Sequence, residues 1–106
     1  DVVWLPHLLQ NDIFRTNVGF VNTGETEARV QVTFFDTSGA ELAARSRTLG
    51  PGAWLQLQEP FSRIAGRTDI DAGYATVRVQ SGQGLIAYAS VIDNRTNDAT
   101  AISMKR

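Results

Sequence analysis

The chain has 106 residues, ten basic and eleven acidic, for a formal net charge of −1. That length fits one domain with one core, and leaves no room for a large internal ligand chamber. The even charge balance lacks the basic excess of a nucleic-acid binder, the 42% apolar content argues against disorder, and the lack of cysteine excludes disulfides, thiol nucleophiles and thiolate metal sites.

Helical periodicity is nearly absent, and apolar residues recur at every second position instead. Val2 to Leu5 reads as a short apolar strand closed by Pro6. Ile13 to Asn22 places Phe14, Thr16, Val18 and Phe20 on one face, and Asn22-Thr23-Gly24-Glu25 is a turn. Ala28, Val30, Val32 and Phe34 alternate with Arg29, Gln31 and Thr33, the cleanest half-buried strand in the chain. Asp36-Thr37-Ser38-Gly39 reads as a hairpin turn into an Ala- and Arg-rich edge strand, Ala40 to Leu49. After the break at Gly50-Pro51-Gly52, Trp54 to Gln58 turns Leu55 and Leu57 inward. Pro60 to Ala65 predicts a single helical turn bridging two sheets. Tyr74 to Gln80 alternates again, Ser81-Gly82-Gln83-Gly84 is a tight turn, and Ala99 to Met104 is the last strand.

Between them lies a strand of a different kind. Leu85, Ala87, Ala89 and Val91 form one apolar set, while Ile86, Tyr88, Ser90 and Ile92 form a second, largely apolar one. Such a strand either sits mid-sheet between two layers or has one face covered by a partner. The whole pattern predicts an all-β antiparallel sandwich of about eight strands, immunoglobulin- or fibronectin-like, in a single domain spanning residues 1–106. The expected core is Phe20, Val30, Val32, Phe34, Leu55, Leu57, Val77, Val79, Ala89 and Val91.

Several segments carry a resemblance in combination. They are Val3-Trp4-Leu5-Pro6, Phe14-Arg15-Thr16-Asn17 with Asn22-Thr23-Gly24, and Thr48-Leu49-Gly50-Pro51-Gly52. The strongest is the stretch from Ala87 through Asp93-Asn94-Arg95-Thr96-Asn97-Asp98 to Thr100. Together they resemble a β-sandwich repeat of large secreted bacterial proteins, with a shorter spacer between Pro6 and Phe14. The resemblance implies an extracellular module, often in tandem or joined to other domains, with no catalytic residues to carry over. A chain that starts at Asp1, without a signal-peptide pattern or a membrane-length apolar run, is read as a processed protein or a fragment.

Candidate chemistry is sparse. His7, the sole histidine, follows a strand-ending proline, and no Gly-x-Ser-x-Gly elbow exists to serve it, so no enzyme is expected. Asp93, Asn97 and Asp98 carry oxygens suited to Ca²⁺, but they lack the spacing of a calcium loop and read first as a turn. No cofactor is therefore expected. Asp69 and Asp71 read as a solvated strand entry, and Asn94-Arg95-Thr96 matches the N-glycosylation pattern.

The aromatics are more telling. Phe35, Trp54 and Tyr74 fall out of phase with their core-facing neighbours, and Trp4 and Tyr88 lie in the strands that are apolar throughout. These five are the candidate interaction residues. The expected role is structural or adhesive, through protein contacts with other copies or neighbouring domains, as a cell-surface or filament subunit. The alternative is a carbohydrate-binding accessory module, with Trp54 and Tyr74 presenting rings to a polysaccharide.

Overall fold

Two four-stranded antiparallel sheets pack face to face. The computed structural model describes residues 2–106. In chain order the elements are β1 (Val2–Gln10), β2 (Phe14–Asn22), β3 (Ala28–Phe35), β4 (Glu41–Leu49), β5 (Trp54–Gln58), α1 (Pro60–Arg63), β6 (Ile70–Ser81), β7 (Leu85–Asp93) and β8 (Ala99–Ser103). The first sheet runs β1-β6-β3-β4 and the second β5-β2-β7-β8. This is the expected sandwich of eight strands with one helical turn, α1, in the connection between the sheets.

Period-two alternation builds the core directly. On β3, Ala28, Val30, Val32 and Phe34 are buried while Arg29 is exposed. Val32 stands opposite Val77 of β6, and Val18 of β2 stands opposite Ala89 of β7. Eight of the ten expected core residues are buried; Leu55 and Val79 are only partly covered. Leu55 lies on the short edge strand β5. Val79 lies near the open end of the sandwich, lining a cavity of about 250 Å³ with Val3, Leu85, Ala87 and Met104. Val32→Ala should destabilise the fold by about 1–3 kcal/mol, scaled from larger core truncations. An unchanged urea midpoint would contradict the placement of that face.

β1 is longer than the sequence suggests. It continues past Pro6 to Gln10, with register shifts between Leu5 and Leu8 and again between Leu8 and Gln10. His7 takes a left-handed backbone at φ 59°, which creates an irregularity beside the proline. β1 is an edge strand, where a proline breaks no inter-strand ladder on its free side. Leu5 and Leu8 are thereby both fully buried. β6 likewise begins earlier than expected, at Ile70, which is fully buried between exposed Asp69 and Asp71.

The helical turn closes one end of the sandwich. Phe61 is fully buried and meets Phe34 edge-on, with ring centroids 5.4 Å apart. Gly73 leaves space for it, because a Cβ there would come within 2.8 Å of the Phe35 carbonyl and 3.2 Å of the Phe61 ring. At the other end, Asn22 is fully buried and its Nδ2 donates to the carbonyls of Thr26, Leu49 and Gly50 at 2.9, 3.0 and 3.2 Å. Its Oδ1 accepts from Gly24 N–H at 3.0 Å, so one side chain ties the β2–β3 turn to the β4–β5 turn.

Candidate interaction surfaces

Among the described residues, none forms a layer over the outer face of the second sheet. Residues paired across antiparallel strands share a face, so the registers map it in rows. Trp54, Val21 and Ile86 form the first row, across β5, β2 and β7. Gln56, Gly19, Tyr88 and Ser103 form the second, and Gln58, Asn17, Ser90 and Ala101 the third. Arg15, Ile92 and Ala99 follow. Trp54 is 65% exposed and Ile86 43%. Tyr88 is half-buried because its ring lies across Gly19, where a Cβ would come within 2.2 Å of it. The strand with two apolar faces is therefore central, between β2 and β8, and its second face looks outward.

The other three aromatics meet on the opposite side of the molecule. Phe35 stacks on Tyr74, with centroids 4.7 Å apart and planes 10° apart, and Trp4 lies against Tyr74 at 5.5 Å. Trp4 is 44% exposed; Tyr74 and Phe35 are half-buried. Below the Phe35–Tyr74 pair on this outer face of the first sheet, Trp4, Thr76, Thr33 and Ala44 form one row, and Val2, Arg78, Gln31 and Ser46 the next. The five candidate residues thus divide between two faces. Trp54 and Tyr74, paired by sequence phase as sugar-binding rings, stand on different sheets.

The two edges of the first sheet are partly blocked. On β4, Arg45 and Arg47 stand opposite the core-facing Val32 and Val30. Each guanidinium turns back onto a main-chain carbonyl of its own strand, Ala44 at 2.7 Å and Ser46 at 2.9 Å. Charges on the inward side of an edge strand discourage strand addition. On β1, Trp4 exchanges two main-chain hydrogen bonds with Lys105, so the C-terminal segment covers part of that edge.

The oxygen-rich loop after β7 is tied together internally. Arg95 donates to both carboxylate oxygens of Asp93, at 3.2 and 3.1 Å. That hydrogen bond, with a further one from the Arg95 N–H, holds the Asp93 carboxyl below its ordinary value. Arg15 donates to the side-chain oxygens of Asn94 and Asn97, and Asn97 sits at φ 63°, as a turn requires. Asp98 accepts from Asp93 N–H through its carbonyl. Among the described residues, no group of three or more His, Asp or Glu converges. His7 lies exposed at the β1 irregularity, and Asp69 pairs with Arg67 at 2.7 Å, which lowers its carboxyl from the ordinary value. Asp71 accepts from Asn11 at 3.0 Å.

No family model and no curated protein matches the chain. Among solved structures, Thermotoga maritima 1070 is similar at a TM-score of 0.71 and 13% identity, covering 99% of this chain and 91% of that one. The Anabaena sensory rhodopsin transducer is similar at 0.58 and 11%, covering 81% of this chain and 89% of that one. At such identities the likeness speaks for the fold alone.

Five contributors to these faces are not aromatic. Val21 follows Phe20 directly, so its outward phase was readable although it is no aromatic. Gln31, Thr33, Thr76 and Arg78 were legible as the polar half of two alternating strands. Only the pairing of β3 with β6 makes them a single surface.

Proposed function

We propose that this chain is a non-catalytic β-sandwich module of the cell exterior that acts by protein contact, through the outer face of its second sheet. The observation that carries the reading is the in-register row Trp54, Val21 and Ile86, which no other element among the described residues covers. Exposed apolar surface of this kind marks interaction sites. The three rows nearest Trp54 contain no charged residue, the composition expected of an interface centre. A net charge of −1 opposes the approach of a second copy only weakly. The partner proposed is therefore another copy of the module, meeting face to face. A contact of like with like closes as a dimer, and the filament expected from sequence would need a second, different contact. The exterior location rests on the resemblance to secreted bacterial repeats.

Sedimentation velocity over a concentration series tests the reading. The wild-type chain should associate reversibly. Trp54→Glu should remain monomeric with an unchanged far-ultraviolet dichroism spectrum, since the ring is mostly in water. A wild type that stays monomeric throughout, or a Trp54→Glu variant that associates equally well, would reject it.

A further inference from the structure

The outer face of the first sheet holds a different kind of surface, and we propose that it is a binding site for a neutral saccharide. It is a shallow depression of about 280 Å³, lined by Val2, Gln31, Thr33, Phe35, Thr76 and Arg78, with Glu41 and Ala44 at its β4 side. That is near the roughly 300 Å³ at which small-molecule sites begin. The site is graded along the strands. At one end stands the aromatic group, Phe35 stacked on Tyr74, with Trp4 beside them. The two threonines face each other in the middle, and Arg78 and Gln31 face each other at the far end.

This distribution matches the two surfaces of a pyranose ring. The C–H face of a sugar is apolar and flat enough to lie on an aromatic ring, and its hydroxyls need donors and acceptors around the rim. Phe35 is the aromatic in the lining, and Trp4, 44% exposed, borders it next to Thr76 in register; Thr33, Thr76 and Gln31 offer both donors and acceptors, Arg78 donors and Glu41 acceptors. Among the described residues, none of these five polar side chains is engaged in a hydrogen bond within the chain. By contrast, Arg67 and Arg95 elsewhere on the surface are both held by carboxylates. One cation and one anion flank the depression, which favours an uncharged ligand over a uronate or an amino sugar. The floor presents side chains rather than free main-chain groups, so an extended peptide has no ladder to join there.

The site is separate from the Trp54 face, and the test keeps the two apart. Trp54→Phe leaves Trp4 as the sole tryptophan. That variant is titrated with cellobiose, maltose and lactose, following tryptophan emission, and the wild type is followed by amide chemical shifts. At least one disaccharide should change Trp4 emission saturably and move the amides of Thr33, Phe35, Tyr74, Thr76 and Arg78. Thr76→Val, which keeps shape and strand preference, and Arg78→Ala should each weaken binding about fivefold to tenfold. Trp4→Ala should weaken it more. No response to any of the three sugars would overturn the proposal. So would shifts centred on Trp54 and Ile86, or binding that Thr76→Val and Arg78→Ala leave unaltered. Self-association abolished by Trp4→Glu but not by Trp54→Glu would also overturn it, because this face would then belong to the protein contact.

Discussion

Asn22→Ala should destabilise the fold by about 2–4 kcal/mol, more than most surface or core trimming in a chain this small. The side chain is fully buried, yet both its oxygen and its nitrogen are satisfied. Alanine would remove the donor shared by the carbonyls of Thr26, Leu49 and Gly50 and the acceptor of Gly24 N–H. Those groups belong to two separate turns, and water reaches them only if the turns open. A buried polar group that loses its partner bears its full desolvation cost. Asn22→Asp should be no better, since a carboxylate would face three carbonyl oxygens. Equilibrium urea denaturation reads the effect directly. A midpoint within error of wild type would show that the turns satisfy themselves without Asn22.

Phe61→Ala should cost about 3–5 kcal/mol, the range for removing a fully buried aromatic. Phe61 is the larger of the buried residues in α1, and it fills the end of the sandwich against Phe34 and beside Gly73. The cavity cannot collapse easily, because β6 and β3 are fixed there by their own ladder. Phe61→Leu should recover about half of the loss, since much of the volume returns. Thermal and urea unfolding of the two variants together would check this. Equal stability of Phe61→Ala and wild type would mean that α1 is a loose cover rather than a plug.

The alternation that builds the core was legible because it is local. In β3 the buried residues follow one another at every second position, and nothing distant is needed to read them. The outward phase of Phe35, Trp54 and Tyr74 was legible for the same reason. Which of them meet was not, because that depends on strand pairing. Tyr74 joins Phe35 only because β6 pairs with β3, and joins Trp4 only because β1 pairs with β6 on the other side. The extension of β1 beyond Pro6 was hidden by the proline, whose usual meaning as a strand end fails on an edge. Asn22 read as a turn residue, which it is, but its burial follows from the β4–β5 turn arriving from far along the chain.

The strand order has a consequence for how the chain reaches this state. Of the neighbouring strand pairs, only β3–β4 and β7–β8 join consecutive strands; every other pair links segments well separated in sequence. β1 waits for β6, and β2 waits for β5 and then β7. Such non-local ladders require large loops to close before any hydrogen bond offsets the entropy lost, so folding is slow, in the millisecond-to-second range typical of all-β sandwiches. During synthesis β1 emerges well before β6, and β2 before β5 and β7, so their apolar inner faces remain unpaired until much of the chain has followed. That interval, rather than the finished sandwich, is when the nascent chain is most exposed to misassembly with its neighbours.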